Sequence, residues 1–301
     1  MTSTRSNDLL SPRHLHPEPV STIALARKYP VETLSDHSNT RRDDAVAIEE
    51  PLEIRLELAS EGGGGRAIAV TMRTPGNDPE LAVGFLHGEG IIRSADDVLE
   101  VGPCGNDGNT VRVLLRSGLE IDTKRLERNF YTSSSCGLCG KASIEAAMQS
   151  VALARVPEGT LQIDPEVLLS LPGRMRQAQA TFEATGGLHA SALFNSQGEL
   201  RLLREDVGRH NALDKVVGCS LLTGSLPLHD CVLILSGRAS FELLQKSMAA
   251  QIPLVAAIGA PSTLAVDLAD ACGITLVGFL RDGSFNVYTH GGRLKTGHAR
   301  L

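Results

Sequence analysis

Val232-Leu233-Ile234-Leu235-Ser236-Gly237-Arg238-Ala239-Ser240 runs from a short apolar block into a Gly/Ser turn. Pro253-Leu254-Val255-Ala256-Ala257-Ile258-Gly259-Ala260-Pro261-Ser262 repeats that arrangement one unit later. Each block leads into a helical pattern, over residues 240–251 and 262–272, and a third apolar run covers 274–280. Apolar runs without alternation mark strands buried on both faces, and strands alternating with helices build a parallel sheet covered by helices. Upstream, 189–194 and 200–204 read as strands joined at Gln197-Gly198, followed by a helix over 209–217; downstream, 285–288 reads as a last strand. The expected result is an α/β fold, a mixed three-layer α/β/α domain over 153–301.

The pattern differs toward the N-terminus. Ile54, Leu56 and Leu58 alternate with polar residues, as do Ile68, Val70 and Met72, which predicts a hairpin around Gly62-Gly63-Gly64-Gly65. That glycine run lacks the Lys-Ser/Thr of a P-loop and reads as a hairpin tip. Asp78-Pro79 predicts a helix start, with Asp as cap and Pro in the first turn. Val111, Val113 and Leu115 predict a further strand, continued by Leu119-Glu120-Ile121. Residues 46–130 thus form a smaller α+β unit, and 131–152 hold a cysteine loop and a following helix. Residues 1–45, rich in Ser, Thr, Pro, Arg and Asp and ending at Arg41-Arg42-Asp43-Asp44, read as a disordered tail.

The 301 residues carry 29 Lys and Arg against 35 Asp and Glu, a net charge of -6, which argues against a nucleic-acid partner. Seven Phe, three Tyr and no Trp argue against single-strand stacking platforms. No segment approaches the roughly 18 apolar residues of a membrane span, and the first residues lack a secretory apolar segment, so no membrane partner and a cytoplasmic location are expected. Six cysteines are too sparse for a disulfide scaffold and are read individually.

Ser133-Ser134-Ser135-Cys136-Gly137-Leu138-Cys139-Gly140-Lys141 places two cysteines on a glycine-rich turn before a helical pattern. Unpaired N–H groups and the helix dipole there favour a thiolate. Three chemistries compete with the inert alternative of two buried thiols. A zinc site needs about four ligands and would have to recruit Cys104 and a distant His. A thioredoxin-like dithiol expects a different fold pattern around it. A nucleophilic or persulfide-carrying Cys on a Gly-flanked loop fits the segment best. Cys219, Cys231 and Cys272 lie in apolar contexts and read as core.

The turns after the apolar blocks suggest a phosphorylated ligand. Ligands of open α/β sheets bind beyond the carboxyl ends of the strands, helix N-termini there hold anions, and Arg238 adds a fork suited to phosphate. The plain alternative is turn and cap chemistry alone. Gly186-Gly187 before His189 suggests close approach to a ligand. Arg204, Asp206, Arg209, His210 and Asn211 either line the same pocket or form a solvated loop, and Arg281 ends the last long strand. The His-x-Glu of zinc nucleobase deaminases is missing, since His189-Ala190-Ser191 stands there and the Cys pair precedes it.

With these segments assembled, the chain resembles the FdhD/NarQ family of formate dehydrogenase accessory sulfurtransferases. The resemblance rests on Glu49-Glu50-Pro51-Leu52, Thr71-Met72-Arg73-Thr74-Pro75-Gly76, Cys136-Gly137-Leu138-Cys139-Gly140, Arg204-Glu205-Asp206-Val207-Gly208-Arg209-His210-Asn211 and Ser236-Gly237-Arg238, in that order. It implies a sulfurtransferase that accepts persulfide sulfur from a cysteine desulfurase. The sulfur then passes to the molybdenum bis-molybdopterin guanine dinucleotide cofactor that activates formate dehydrogenase. It implies Cys136 as the persulfide carrier, with Cys139 second. A cofactor-binding stretch over Phe279, Leu280, Arg281, Asp282, Gly283 and Ser284 is implied through its Gly-Phe-x-Arg pattern, with Ser236, Gly237, Arg238 and His189 beside it. It also implies a cytidine-deaminase-like α/β/α domain and a homodimer. The chain departs from the family pattern at Ser284-Phe285, where a basic residue is expected. The alternative is a cofactor-binding chaperone without sulfur chemistry.

Overall fold

A computed structural model describes residues 25–295 apart from 37, 61–64, 106–107, 120–154, 158, 160 and 282. Cys136, Cys139 and Asp282 therefore lie outside the described residues, as do the expected 131–152 loop and helix, Gly62 to Gly64, the strand continuation at Glu120-Ile121 and the tail up to residue 24.

The first departure from expectation comes early. Strands β1 (Ala26–Ser35) and β2 (Ser38–Ala47) pair antiparallel where a disordered tail is expected. Both faces of this hairpin meet solvent along most of its length, so no apolar alternation marks it.

Strands β3 (Glu50–Leu58), β4 (Arg66–Arg73), β5 (Val98–Pro103) and β6 (Thr110–Leu115) form a sheet in the order β4-β3-β6-β5. Helix α1 (Asp78–Gly88) packs on it, burying Leu81, Ala82, Val83 and Leu86 against Leu52, Ile54, Val111 and Val113. Each such fully buried Leu contributes about 1.5–3 kcal/mol. The expected alternation fails in β4. The register slips between Ile54 and Arg55, so Ile68 is buried while Val70 and Met72 turn outward, 52% and 43% exposed. The expected Asp78 cap is also replaced. Asn77, with a φ of 58°, stands at the cap, and Asp78 instead accepts two bonds from Arg73, at 3.0 and 2.9 Å.

The larger sheet contains β7 (His189–Phe194), β8 (Leu200–Asp206), β9 (Val232–Leu235), β10 (Leu254–Ala257), β11 (Thr275–Arg281) and β12 (Ser284–Thr289). Its order is β12-β11-β10-β9-β7-β8. Strands β9, β10 and β11 are parallel, as the apolar runs predict, and antiparallel strands flank them on both sides. One face packs on α2 (Pro165–Ala178) through Leu168, Leu171 and Met175. The other packs on α4 (Arg209–Leu222), α5 (Phe241–Ala249) and α6 (Thr263–Cys272). Short α3 (Ala180–Thr185) follows α2. No helix is predicted over 165–185, yet α2 and α3 occupy it, with Pro172 inside α2.

Two glycines join the units. A Cβ on Gly84 would lie 1.9 Å from the carbonyl oxygen of Asp214, and one on Gly218 would lie 1.8 Å from that of Glu80. Helices α1 and α4 therefore cross backbone against backbone. Helix α4 was expected to end near Val217, but it continues to Leu222 because Gly218 is a crossing point, not a stop.

Candidate functional site

The carboxyl ends of β9, β10 and β11 are laced into one ledge. Gly259 N donates to Gly237 O at 3.0 Å, and Phe279 N donates to Gly259 O at 3.1 Å. Ala239 N donates to Ala260 O at 3.2 Å, and Ser262 N donates to Ala239 O at 3.0 Å. The ladder thus brings Ser236, Gly237 and Arg238 together with Phe279, two stretches distant in sequence. Gly259, from the second of the two predicted turns, is the connection between them. A Cβ there would stand 3.1 Å from both Arg238 Cγ and Gly237 O, so a larger residue would push the ledge apart. Gly278 is packed as closely, since a Cβ would meet Pro261 Cδ at 2.8 Å.

The ledge gathers cationic and imidazole groups. Ser236 Oγ accepts from Ala190 N at 2.8 Å, which ties the turn to the start of β7 beside His189. A Cβ on Gly237 would stand 3.3 Å from His189 Nδ1, so the glycine leaves the ring room. Burial, then the neighbouring Arg209 and His210, lower the His189 pKa against a smaller raising effect of Asp206. His189 is therefore neutral at pH 7. Arg209 follows it on the first turn of α4, with its Nε buried and without a hydrogen-bond partner among the described residues. His210 Nε2 lies 2.9 Å from Glu242 and 3.3 Å from Ser240 Oγ. That imidazole, ahead of burial, holds the Glu242 carboxyl below its usual range. Arg238 is exposed and makes no ion pair among the described residues. Arg281 is exposed at the end of β11, its guanidinium 5.8 Å from the centre of the Phe279 ring. Phe279 itself takes a φ of 53°, unusual for a residue with a side chain. Gly283 and Ser284 are exposed at the turn into β12.

Leu280 departs from its expected role. Its side chain is fully buried on the α2 side of the sheet, the same side as Val277 three residues earlier, because the register slips between Gly278 and Arg281 where Phe279 takes its positive φ. Arg204, Asp206 and Asn211 likewise serve the fold and not an open pocket. Arg204 grips Glu80 of α1 at 2.6 and 2.8 Å. Asp206, wholly buried, lies 2.7 Å from Lys215 Nζ and accepts from Thr74 N, Gly208 N and Asn211 Nδ2. Asn211 Nδ2 also donates to Met72 O at 2.8 Å. The segments 71–76 and 204–211 are two halves of one buried clasp between the units. A second buried pair, Lys246 Nζ with Asp214 at 2.6 Å, supports the α4–α5 contact.

The remaining cysteines are separable by environment. Burial pushes the thiols of Cys219, Cys231 and Cys272 up to about 11. At neutral pH they are protonated and poor nucleophiles. Cys104 is half-buried.

These features define a mixed α/β protein whose glycine-built ledge collects Arg and His side chains at the carboxyl ends of its sheet. The model of the FdhD/NarQ family matches residues 47–295, and the chain belongs to that family. It is 50% identical over 262 residues to the sulfur carrier protein FdhD of Streptomyces avermitilis, covering 85% of this chain and 90% of the relative. The same-named protein of Streptomyces coelicolor is 48% identical over 268 residues, covering 87% and 93%. A crystal structure from Desulfotalea psychrophila, described as a formate dehydrogenase accessory protein, aligns with a TM-score of 0.69 at 25% identity, covering 90% of this chain and all of that one.

Proposed function

We propose that the protein is a sulfur carrier for formate dehydrogenase maturation. It accepts sulfane sulfur from a cysteine desulfurase and passes it to molybdenum bis-molybdopterin guanine dinucleotide, its substrate. In the first step the Cys136 thiolate attacks the outer sulfur of the donor's persulfide. The donor's cysteine leaves as a thiolate and Cys136 becomes the persulfide. The substrate's nucleotide end lies on the ledge, where Arg238, Arg281 and Arg209 attract phosphate and the backbone turns of Gly237 and Gly259 allow close approach. His189, held neutral, can accept or share a proton there without adding charge. The reading includes a cytoplasmic homodimer and a layered domain of the cytidine-deaminase type.

The observation that carries the reading is the division of labour among the cysteines. Cys219, Cys231 and Cys272 are buried with raised pKa values; of the other three, half-buried Cys104 stands alone in sequence, and Cys136 and Cys139 form the Gly-flanked pair to which sulfur chemistry is assigned in a chain whose relatives are named sulfur carriers. The test is complementation of a strain lacking this gene, read as formate dehydrogenase activity. Cys136→Ser abolishes activation, and Cys139→Ala is less severe. Full activation by Cys136→Ser would overturn the reading in favour of a cofactor-binding chaperone.

A further inference from the structure

The β1–β2 hairpin stands outside the family match, which begins at residue 47. Its strands have ten residues each, so it reaches about 33 Å. Its ladder closes with Ile48 N donating to Leu25 O at 2.9 Å, and it meets the body at α3 and where Ala47 lies beside Gly187. Tyr29, Leu34 and Val46 are 45%, 75% and 45% exposed. A lone two-stranded hairpin is marginal in water. Beyond its contact with α3 the hairpin leaves two edges, and they differ in what they offer a further strand.

The two-residue turn makes Ser35 and Ser38 a hydrogen-bonded pair, and the alternation from there turns the nitrogen of Pro30 to the outer edge of β1. Proline has no N–H, so that edge is interrupted. The outer edge of β2 presents Asn39, Arg41, Asp43 and Ala45 without a break. The charges on β2 also select a partner. Arg42 and Asp44 already satisfy each other at 2.7 Å. Arg41, 87% exposed, reaches Glu32 only at 3.9 Å, and Asp43 has no ion pair or hydrogen bond among the described residues. Run antiparallel, Arg41-Arg42-Asp43 sets Arg41 opposite Asp43 of an identical strand, twice.

We propose that β2 pairs antiparallel with β2 of a second copy about a two-fold axis at Arg42, making a four-stranded ribbon between protomers. Arg41 faces Asp43 of the second copy and the reverse, the self-complementarity that a two-fold interface requires. Each Arg42 on the axis keeps its own Asp44 as counter-charge. The pairing supplies an interface for the proposed homodimer and does not depend on the sulfur chemistry.

The experiment is sedimentation velocity on the full chain, with circular dichroism as the folding control. The parent sediments as a dimer of 31.9-kDa chains. Arg41→Asp and Asp43→Arg each set like charges opposite one another and weaken the dimer about tenfold or more. The double variant Arg41→Asp/Asp43→Arg restores it. At the axis the two Cα atoms of residue 42 would lie about 4.5 Å apart, within disulfide reach. Arg42→Cys therefore crosslinks protomers on oxidation above the parent's background, and Thr40→Cys, whose counterpart lies four residues along, does not. A monomeric parent, a dimer indifferent to both single charge changes, or equal crosslinking by the two cysteine variants would overturn the proposal.

Discussion

The glycine crossing of α1 and α4 gives the sharpest stability prediction, because two effects of opposite sign compete at Gly218. In an isolated helix, Gly218→Ala stabilises by about 1 kcal/mol, since alanine loses less backbone entropy on ordering. In this fold the new Cβ would stand 1.8 Å from Glu80 O, against an ordinary contact of 3.4 Å or more. That oxygen is backbone and cannot rotate away. The helices must separate by about 1.5 Å, and interiors packed like organic crystals do not absorb that locally. Overpacking of this kind costs about 1–3 kcal/mol and occasionally more. The separation also stretches the Arg204–Glu80 pair, whose bonds are now 2.6 and 2.8 Å. With a clash this deep the overpacking cost falls at the upper end of that range, so Gly218→Ala is expected to destabilise by about 1–2 kcal/mol net of the propensity gain. Gly173→Ala, in α2 with nothing within 4 Å of its new Cβ, is expected to be neutral or stabilising. Urea unfolding followed by circular dichroism reads both midpoints. A Gly218→Ala variant as stable as the parent would refute the crossing.

Asp206→Asn leaves Lys215 buried without its counter-charge and is expected to cost about 3–5 kcal/mol, while Asp206→Asn/Lys215→Met recovers part of that in the same assay. His87 and His189 both have pKa values lowered first of all by burial, so the unfolded chain takes up protons near pH 6.5 before the folded one does. Stability is then intact above that pH and falls as pH drops through it toward the folded values; unfolding free energies from pH 7.5 to 5.5 show the slope, and it should flatten in His189→Gln. Cys219, Cys231 and Cys272 are expected to resist iodoacetamide at pH 8 in the folded protein and to react on unfolding, as peptide mass mapping will show. Gly259→Val should loosen nucleotide binding to the ledge while leaving persulfide formation at Cys136 intact, measurable by calorimetry with guanosine diphosphate.

The parallel centre of the larger sheet was legible because 232–235, 254–257 and 275–281 are apolar on both faces, and only doubly covered strands read that way. The turns after the first two blocks were legible for the same reason, since those blocks stop at Ser236 and Gly259. The β1–β2 hairpin was not, because a strand pair in solvent on both faces carries no period for burial to impose. Strand β4 misled through a bulge, which reversed the facing of Val70 and Met72 without changing their alternation. In the 204–211 segment the residue types suggested a site, and His210 and Arg209 do reach the ledge. Arg204, Asp206 and Asn211 instead close a clasp on Glu80, Thr74 and Met72. Sequence cannot distinguish those roles, because a buried ion pair and a binding residue use the same side chains. Glu242, the partner of His210, was missed outright; nothing in a first-turn Glu marks it as more than a dipole complement.

The central claim is that Cys136 carries the sulfur. Its most direct measurement is intact and peptide mass analysis of the full chain after incubation with a cysteine desulfurase and cysteine. A gain of one sulfur atom on the peptide containing Cys136, released by a thiol reductant and lost in Cys136→Ala but retained in Gly259→Val, is the predicted result. An unmodified Cys136 with a competent desulfurase, or a sulfur gain that persists in Cys136→Ala, would contradict it.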